Sequence, residues 1–406
     1  MLRLHSDEEL ETIGTRFAAS DALALLLIEI EPLGRIELRY GSEAYSSALE
    51  RLVALIDEVA RDVLPAQDVF VTTERGGDTI LLFMFRPRSD REFYTGGLLE
   101  LRQQLTIELL QQGKHAVYPY YRDPLSPGIG GAITLYNPNV QPARQILKAV
   151  EVSRRDAQLE RGLQARERGN EILDLILRED IVTRYEPIVE IETGNPIGYE
   201  ALTRGPEGGS LQSPERLFSQ AKDVGLLFEL DCLCRRRAFA NAHCLPRGSK
   251  LFLNLLPAAI GDPNLRDEGL RANLEKYELD PGDLVLEISE RESIENFAIF
   301  RELRDSYREF GVQIAIDDAG AGYSSLEAIM EIAPDYMKAD MVLVRGIDTD
   351  PPRREVLSGL RGVAERIGAE VIAEGIETEE ELRVVKELGI RYGQGYIFGA
   401  ALRNGS

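Results

Sequence analysis

Polar side chains recur where short apolar runs end in the second half of the sequence. The runs KLFLN, LVLE, IAIDD, YMKAD, VIAEG and YGQG follow one another at intervals of 20 to 36 residues. An apolar run of this length is typical of a buried strand, and polar residues at its end face out of the sheet. With an acid and an arginine from GYEALTRG upstream, the candidate chemical residues are Glu200, Arg204, Asn254, Glu287, Asp317, Asp318, Lys338, Asp340, Glu374 and Gln394.

The acids in this set indicate a site for divalent cations. Like charges at close range oppose joint ionisation, so five carboxylates in one cavity need compensating cations. Carboxylate and amide oxygens suit Mg²⁺ or Mn²⁺, and the absence of histidine from the set argues against zinc. The adjacent Asp317 and Asp318 would allow one carboxylate to bridge two ions, as in displacement at phosphorus. One such acid alone is more often a helix N-cap or a surface ion pair, but those roles do not explain a whole series.

The elements that position these residues are predicted to form a barrel. Between the apolar runs lie amphipathic helices such as SIENFAIFRELRDSYREFG, in which Phe297, Phe300 and Tyr307 fall at helical spacing and Gly311 is a stop signal. Seven to eight strand–helix units in about 230 residues fit an α/β fold, a TIM-like (β/α)8 barrel. Since the carboxyl ends of barrel strands meet at one face, the candidate residues are expected to form one site.

Composition narrows the class of protein. The chain has 406 residues, of which 44% are hydrophobic and 29% charged, and its net charge is -22. That charge disfavours DNA binding through a basic surface. There is no 18-residue apolar run and the start is too acidic for a signal peptide, so we expect a cytoplasmic protein without an integral membrane segment. Three cysteines without a CxxC pair and three scattered histidines form no metal motif, and the cysteines are expected to be buried free thiols.

Seven motifs carry a family resemblance. They are YEALTRG, LNLLP, LEISE, DDAGAGYSSL, KAD, AEGIET and GQGYIFG, in this order within residues 171–404. In these motifs the sequence resembles the EAL domains, phosphodiesterases that open cyclic di-GMP (c-di-GMP) to the linear dinucleotide pGpG. The resemblance implies two Mg²⁺ or Mn²⁺ ions per active site and a homodimer. Two alternatives remain: a catalytically silent c-di-GMP receptor, which would lack metal ligands, and a signalling scaffold that binds no nucleotide.

The resemblance also implies a role for each matching residue. The implied metal ligands, with Asp317 shared by both ions, are Glu200, Asn254, Glu287, Asp317, Asp318 and Glu374. Lys338 would position or deprotonate the attacking water, and Glu374 would join it in catalysis. The implied substrate contacts are Leu202, Arg204 and Gln394. The residues implied to support the site from outside are Glu290, Asp340 and Glu377.

The sequence departs from the family's pattern at three places. Ala319 and Ala321 stand where the loop usually has phenylalanine and threonine, which could weaken the coupling of the loop to the metals and slow turnover. Glu186 replaces a glutamine and adds an acid, and Gly205 replaces a tryptophan that often follows the arginine. None of these changes removes a metal ligand.

The first half of the chain is predicted to be a separate α+β domain. We expect domains at 1–155 and 171–406, joined by a charged helical linker at 156–170 with Asn170 as an N-cap. The strand, helix and hairpin pattern of the first domain resembles a degenerate GGDEF domain, with its turn at 76–79. A cyclase would need an acid at Thr79 and guanine-binding residues where Glu37 and Ser46 fall. We therefore expect no cyclase activity, but a regulatory module on which a ligand or a protein partner could act.

Overall fold

The computed structural model describes residues 7–65, 68–73, 78–121, 125–256, 262–289, 297–319, 329, 331–399 and 402–403. The chain divides into two compact units, Met1–Glu167 and Arg168–Ser406. The division falls within a single helix, Pro142–Arg178. None of the described helices combines the length and the apolar character that crossing a membrane requires.

The first unit is built on a four-stranded antiparallel sheet with the order β2 (Val69–Thr73), β3 (Thr79–Met84), β1 (Ala22–Glu29), β4 (Gly128–Leu135). Its central strand β1 is almost fully buried, with Leu26 and Ile28 in one apolar cluster and Leu25 and Leu27 in another, because helices cover both faces. The βαββαβ chain order is that of ferredoxin-like folds. The strands are β1 (Ala22–Glu29), β2 (Val69–Thr73), β3 (Thr79–Met84) and β4 (Gly128–Leu135). The helices are Asp7–Ser20, Pro32–Tyr40, Ser42–Val63, Leu98–Val117 and the start of Pro142–Arg178, with a π-helical turn at Phe93–Gly97.

The expected strand, amphipathic helix and hairpin are present in this unit. One expected detail is wrong, and another concerns residues that the structure does not describe. The helix Pro142–Arg178 continues through Asn170, so the predicted N-cap there is wrong. The Arg, Glu, Gln, Ala and Leu residues on both sides are good helix formers, and the helix continues through Gly169 and Asn170. Gly76 and Gly77 of the hairpin turn lie outside the described residues.

The second unit contains a closed eight-stranded barrel, which confirms the prediction of a TIM-like barrel. The strands pair in chain order, and the last pairs with the first to close the sheet. One feature was not predicted: β5 (Val182–Glu190) is antiparallel to both of its barrel neighbours, β6 (Pro196–Arg204) and β12 (Tyr392–Gly393). A tight turn joins β5 to β6, in which Gly194 has φ +70 and donates its N–H to the carbonyl of Glu190 at 2.8 Å. A hairpin connection of this kind reverses the chain where a helical crossover would not.

The strands of this unit are β5 (Val182–Glu190), β6 (Pro196–Arg204), β7 (Lys250–Asn254), β8 (Leu284–Ser289), β9 (Gln313–Ala319), β10 (Tyr336–Ala339), β11 (Glu370–Ala373), β12 (Tyr392–Gly393) and a short addition to β5, β13 (Leu402–Arg403). The α-helices are Pro214–Asp223, Leu227–Asn241, Asp267–Lys276, Phe297–Phe310, Met341–Val344, Pro351–Ile367 and Glu379–Glu387. The helix Phe297–Phe310 ends at the predicted glycine, Gly311, which has φ +87.

The cysteine prediction is only partly right. All three cysteines are free thiols, and Cys234 is buried in the unit's apolar packing. Cys232 is half-buried and Cys244 is exposed. Cys244 ends the short 3-10 turn Ala242–Cys244, in which Ala242 is buried and His243 and Cys244 are exposed.

Candidate active site

The alternation of side chains along the strands directs the candidate residues into the barrel. An apolar cluster takes one side chain from each of seven strands: Ile188, Phe252, Val285, Ala315, Tyr336, Ile372 and Tyr392. Residues two apart on a strand face the same side of a sheet. Six members of the cluster lie two residues before a candidate residue, namely before Asn254, Glu287, Asp317, Lys338, Glu374 and Gln394. The apolar cluster therefore forms a layer directly below a polar one.

Lys338 is the centre of the polar layer. Its side chain is 1% exposed, and its Nζ contacts four carboxylates. The ammonium nitrogen lies 2.7 Å from Glu374 Oε1, 3.0 Å from Glu200 Oε2, 3.2 Å from Glu287 Oε1 and 3.3 Å from Asp317 Oδ1. Glu200, Glu287 and Asp317 lie within β6, β8 and β9, and Glu374 directly follows β11. The structure thus brings acids from four strands of the barrel around the buried ammonium group of Lys338 on β10.

Glu200 is held by two amides in addition to the lysine. Asn254 donates its Nδ2 to Glu200 Oε1 at 3.1 Å, and Gln394 donates its Nε2 to Glu200 Oε2 at 2.8 Å. Glu200 is 5% exposed. Each carboxylate oxygen has a donor, which fixes the orientation of the group. Asn254 and Gln394, which the sequence could place only at strand ends, contact the same acid.

A β-bulge explains how two adjacent aspartates serve one site. Neighbouring residues of a regular strand point to opposite faces. Between the pairs Ile316↔Met337 and Ala319↔Ala339, however, β9 has two residues where β10 has one. Asp318 also has φ +58, a left-handed conformation that aspartate tolerates better than most residues. The bulge allows the carboxylates of Asp317, Asp318 and Glu374 to approach within 4.8 Å of one another.

Burial and mutual repulsion shift the pKa values of these groups. Burial raises the pKa of Glu374 to about 8, against the opposing effect of Lys338. Burial and then the charge of Glu200 raise the pKa of Glu287 well above its ordinary value. Burial alone would lower the pKa of Lys338, but the surrounding carboxylates, Asp317 foremost, raise it well above its ordinary value. The lysine is therefore an ammonium ion that partly neutralises an excess of acids.

The donor set fits divalent cations. Asp317, Asp318 and Glu374 form a group of oxygen ligands close enough to hold one ion. Two buried oxygens nearby, Glu287 Oε1 and Gln394 Oε1, accept no hydrogen bond from any described residue. Glu287 Oε1 has only the ion-pair contact with Lys338. Hard oxygen ligands with unused acceptor capacity are what Mg²⁺ and Mn²⁺ require.

A cavity opens beside this layer. Its volume is about 240 Å³, and its walls include Asn254 and the predicted substrate contacts Leu202 and Arg204. Arg204 donates Nη1 to the carbonyl of Thr203 at 3.0 Å, and Leu202 is half-buried. The walls also include Asp231 and Arg235, which sequence reasoning missed.

Asp231 and Arg235 form a buried ion pair on the helix Leu227–Asn241, and Arg235 also contacts Asp262 at 2.8 Å. The sequence did contain a signal for this pair, since an Asp and an Arg four residues apart on a helix are neighbours. Such pairs usually lie on a solvated face, whereas both of these side chains are 4% exposed.

The residues expected to support the site from outside have separate positions. Asp340 is buried and its Oδ1 accepts the N–H of Val342 at 2.7 Å, so it caps the helix Met341–Val344. The carboxylate of Glu377 forms an ion pair with Arg345 and is partly exposed. Glu290 lies outside the described residues. Glu377 is not among the acids that contact the Nζ of Lys338.

Two of the sequence departures have structural consequences. Glu186 on β5 pairs in register with Glu200 on β6, and burial followed by the charge of Glu200 raises the pKa of Glu186. At Gly205, a Cβ atom would lie 2.1 Å from the carbonyl oxygen of Leu211. The path of the chain after Arg204 therefore requires glycine at 205. Ala319 is buried at the end of β9, and Ala321 lies outside the described residues.

The barrel and the sequence motifs lead to one family of proteins. The EAL domain family matches residues 169–401, and the chain belongs to this family.

Two curated relatives and one solved structure are similar to this chain. The probable cyclic di-GMP phosphodiesterase PdeB of Escherichia coli K12 is 30% identical over 233 residues, which are 56% of this chain and 44% of PdeB. The cyclic di-GMP phosphodiesterase NbdA of Pseudomonas aeruginosa PAO1 is 25% identical over 400 residues, 94% of this chain and 49% of NbdA. The chain thus spans less than half the length of either relative. The solved structure of the PaMucR phosphodiesterase in complex with c-di-GMP has a TM-score of 0.52 and 25% identity, and covers 58% of this chain and 97% of that one.

Proposed function

We propose that this chain is a c-di-GMP phosphodiesterase that hydrolyses its substrate to linear pGpG with the help of Mg²⁺ or Mn²⁺. The observation that carries the proposal is the ring of four carboxylates around the buried Lys338 in an EAL-family barrel. The relatives named as c-di-GMP phosphodiesterases support the same reaction.

Two groups of residues would hold the metal ions. The first is Glu200, Asn254, Glu287 and Asp317, and the second is Asp317, Asp318 and Glu374. When bound, the ions supply neutralisation of phosphate charge and a lower pKa for the attacking water. The excess of acids over one lysine leaves the site with a negative charge that cations would balance.

The chain's own residues would orient the reactants. Lys338, as an ammonium ion, has three protons to donate, and this favours positioning of water over removal of its proton. Arg204 lines the cavity beside the ring and would hold a phosphate oxygen of the substrate. Hydrolysis then requires no covalent intermediate: a water oxygen bonds to phosphorus, the bond to the 3′ oxygen breaks, and that oxygen takes up a proton.

The test is direct. Purified protein incubated with c-di-GMP and Mg²⁺ or Mn²⁺ should produce pGpG, detected by chromatography, and EDTA should abolish the product. Binding of c-di-GMP without cleavage under both conditions would instead identify a receptor.

Glu186 offers a prediction about stability. Its pKa is raised above the ordinary value of 4.5, so its ionisation opposes folding at higher pH. We expect Glu186→Gln to raise the melting temperature at pH 8 in EDTA. The gain should shrink as the pH falls through the raised pKa of Glu186 and disappear below 4.5, where both folded and unfolded chains carry the proton. Glu192→Gln, at an exposed position in the β5–β6 turn, is the control, and an equal gain for both variants would contradict the prediction.

We further propose that the N-terminal unit regulates the barrel and is not itself a cyclase. Thr79, where a cyclase would need an acid, is 4% exposed at the start of β3 and has no carboxylate. The carboxylate of Glu29 on β1 is already paired with Arg154 at 3.5 Å and with Arg161. Incubation of the full chain with GTP and Mg²⁺ should therefore yield neither c-di-GMP nor pGpG, the product that the barrel would form from it. Formation of either dinucleotide above the level of a heat-denatured sample would contradict this.

A further inference from the structure

A second cavity adjoins the one beside the carboxylate ring. Its volume is about 490 Å³ and it is open to solvent on one side. Arg204 and Pro214 line both cavities, so a ligand in the first can reach the second past the Arg204 side chain. The other charged residues in its wall are Arg184 and Arg216. We refer to it as the arginine pocket.

The charges of the arginine pocket are poorly neutralised. Among the described residues, neither Arg204 nor Arg216 forms an ion pair. Arg184 has one, with Glu207, at the long distance of 3.6 Å, and its buried Nε has no hydrogen-bond partner in the described part of the chain. In a protein of net charge -22, acids are available almost everywhere to pair with arginine. Arg204 also interacts electrostatically with Glu186, without an ion-pair contact. Three arginines with one long ion pair among the described residues therefore favour an anion from outside the chain.

The backbone around the pocket suits the same ligand. The helix Pro214–Asp223 begins at the pocket, with Ser213 and Pro214 in the wall. The start of a helix carries a partial positive charge and free N–H groups, which stabilise a phosphate nearby. Ser213, at the N-cap position, makes no side-chain capping hydrogen bond. Its hydroxyl is thus available to a ligand as well.

From these observations we infer that the arginine pocket binds a phosphate monoester, and that its occupant is the terminal phosphate of the linear dinucleotide product. The inference rests on the proposed function. The cyclic substrate has only diesters, each with one negative charge. Hydrolysis converts one of them to a monoester with nearly two charges, which a cluster of arginines binds more strongly. Opening of the ring also frees this end of the dinucleotide to extend past Arg204.

The test measures binding of pGpG and of GpG, the same dinucleotide without the terminal phosphate. Isothermal titration in EDTA keeps metal ions from holding the phosphate. The wild-type protein should bind pGpG more tightly than GpG, and Arg216→Ala should weaken pGpG binding by about fivefold, as for one exposed ion pair at the upper end of its range. GpG binding should not change. Arg247→Ala is the matched control, because it removes an arginine that is 97% exposed and does not line the arginine pocket.

Three outcomes would overturn the inference. They are equal affinity of the wild type for pGpG and GpG, equal weakening of both by Arg216→Ala, and binding of inorganic phosphate alone as tightly as pGpG, which would make the pocket a free-phosphate site. Because titration needs no turnover, it separates the two proposals. A chain that fails to hydrolyse c-di-GMP but still discriminates pGpG through Arg216 would refute the enzyme and keep the pocket.

Discussion

Lys338→Met is expected to lower c-di-GMP hydrolysis by on the order of a hundredfold to a thousandfold, the cost of removing one preorganised donor from a catalytic site. Methionine keeps most of the volume of the lysine stem, so the loss reports the ammonium group. The substitution also leaves four carboxylates around a position without a cation. Breaking a buried ion pair by removing one partner costs about 3–5 kcal/mol of stability.

The stability loss gives Lys338→Met a second readout. In EDTA, the melting temperature of the variant should fall well below that of the wild type. Mg²⁺ should restore part of the difference, because a cation that binds only the folded state stabilises it by mass action. Lys222→Met, at an exposed lysine in the last turn of the helix Pro214–Asp223, is the control for the loss of a lysine charge. A variant as stable as the wild type in EDTA would show that the ring does not depend on Lys338.

Asp317→Asn should lower activity nearly as much as Lys338→Met, but through the loss of metal binding. Asp317 contacts Lys338 at 3.3 Å and also belongs to the group with Asp318 and Glu374. Asparagine has the same shape but no charge, and it cannot bridge two cations as a carboxylate does. We expect Mn²⁺ affinity to fall by at least about tenfold and hydrolysis by at least about a hundredfold, the range seen even for outer-shell changes at metal sites.

The measurements for Asp317→Asn are Mn²⁺ titration and product formation. Asp305→Asn, at an exposed position on the helix Phe297–Phe310, removes one carboxylate without touching the site. Unchanged Mn²⁺ binding in Asp317→Asn would mean that the bulge on β9 does not hold a metal. A hydrogen bond between the new asparagine and Lys338 would not compensate for the loss, because the amide carries no charge.

Much of the barrel could be predicted because its sequence signals are local. An apolar run followed by a polar residue marks each strand end, and closure of the barrel then places these residues at one face. The direction of β5 could not be predicted from its apolar pattern, since a strand reads alike in both directions. It depends on the turn around Gly194, which also returns β6 to the ring.

The contacts within the site depend on pairing register and packing, which cannot be read from the sequence. The bulge at Asp317 and Asp318 arises from the pairing register of β9 with β10, which is a property of two strands. Asp231 and Arg235 have the spacing of a surface ion pair, and only the packing of their helix buries them. Glu377, expected to support Lys338, pairs with Arg345, because a motif gives proximity in sequence and not the direction of a side chain.

The central question is whether c-di-GMP is cleaved at the carboxylate ring. The most direct measurement is the rate of pGpG formation by the wild type and by Glu200→Gln, side by side with the same Mn²⁺ concentration. Glutamine removes the charge that Lys338, Asn254 and Gln394 contact while it keeps the shape. We predict metal-dependent pGpG from the wild type and none above background from the variant. Equal rates for the two proteins would contradict the account and place the reaction elsewhere in the chain.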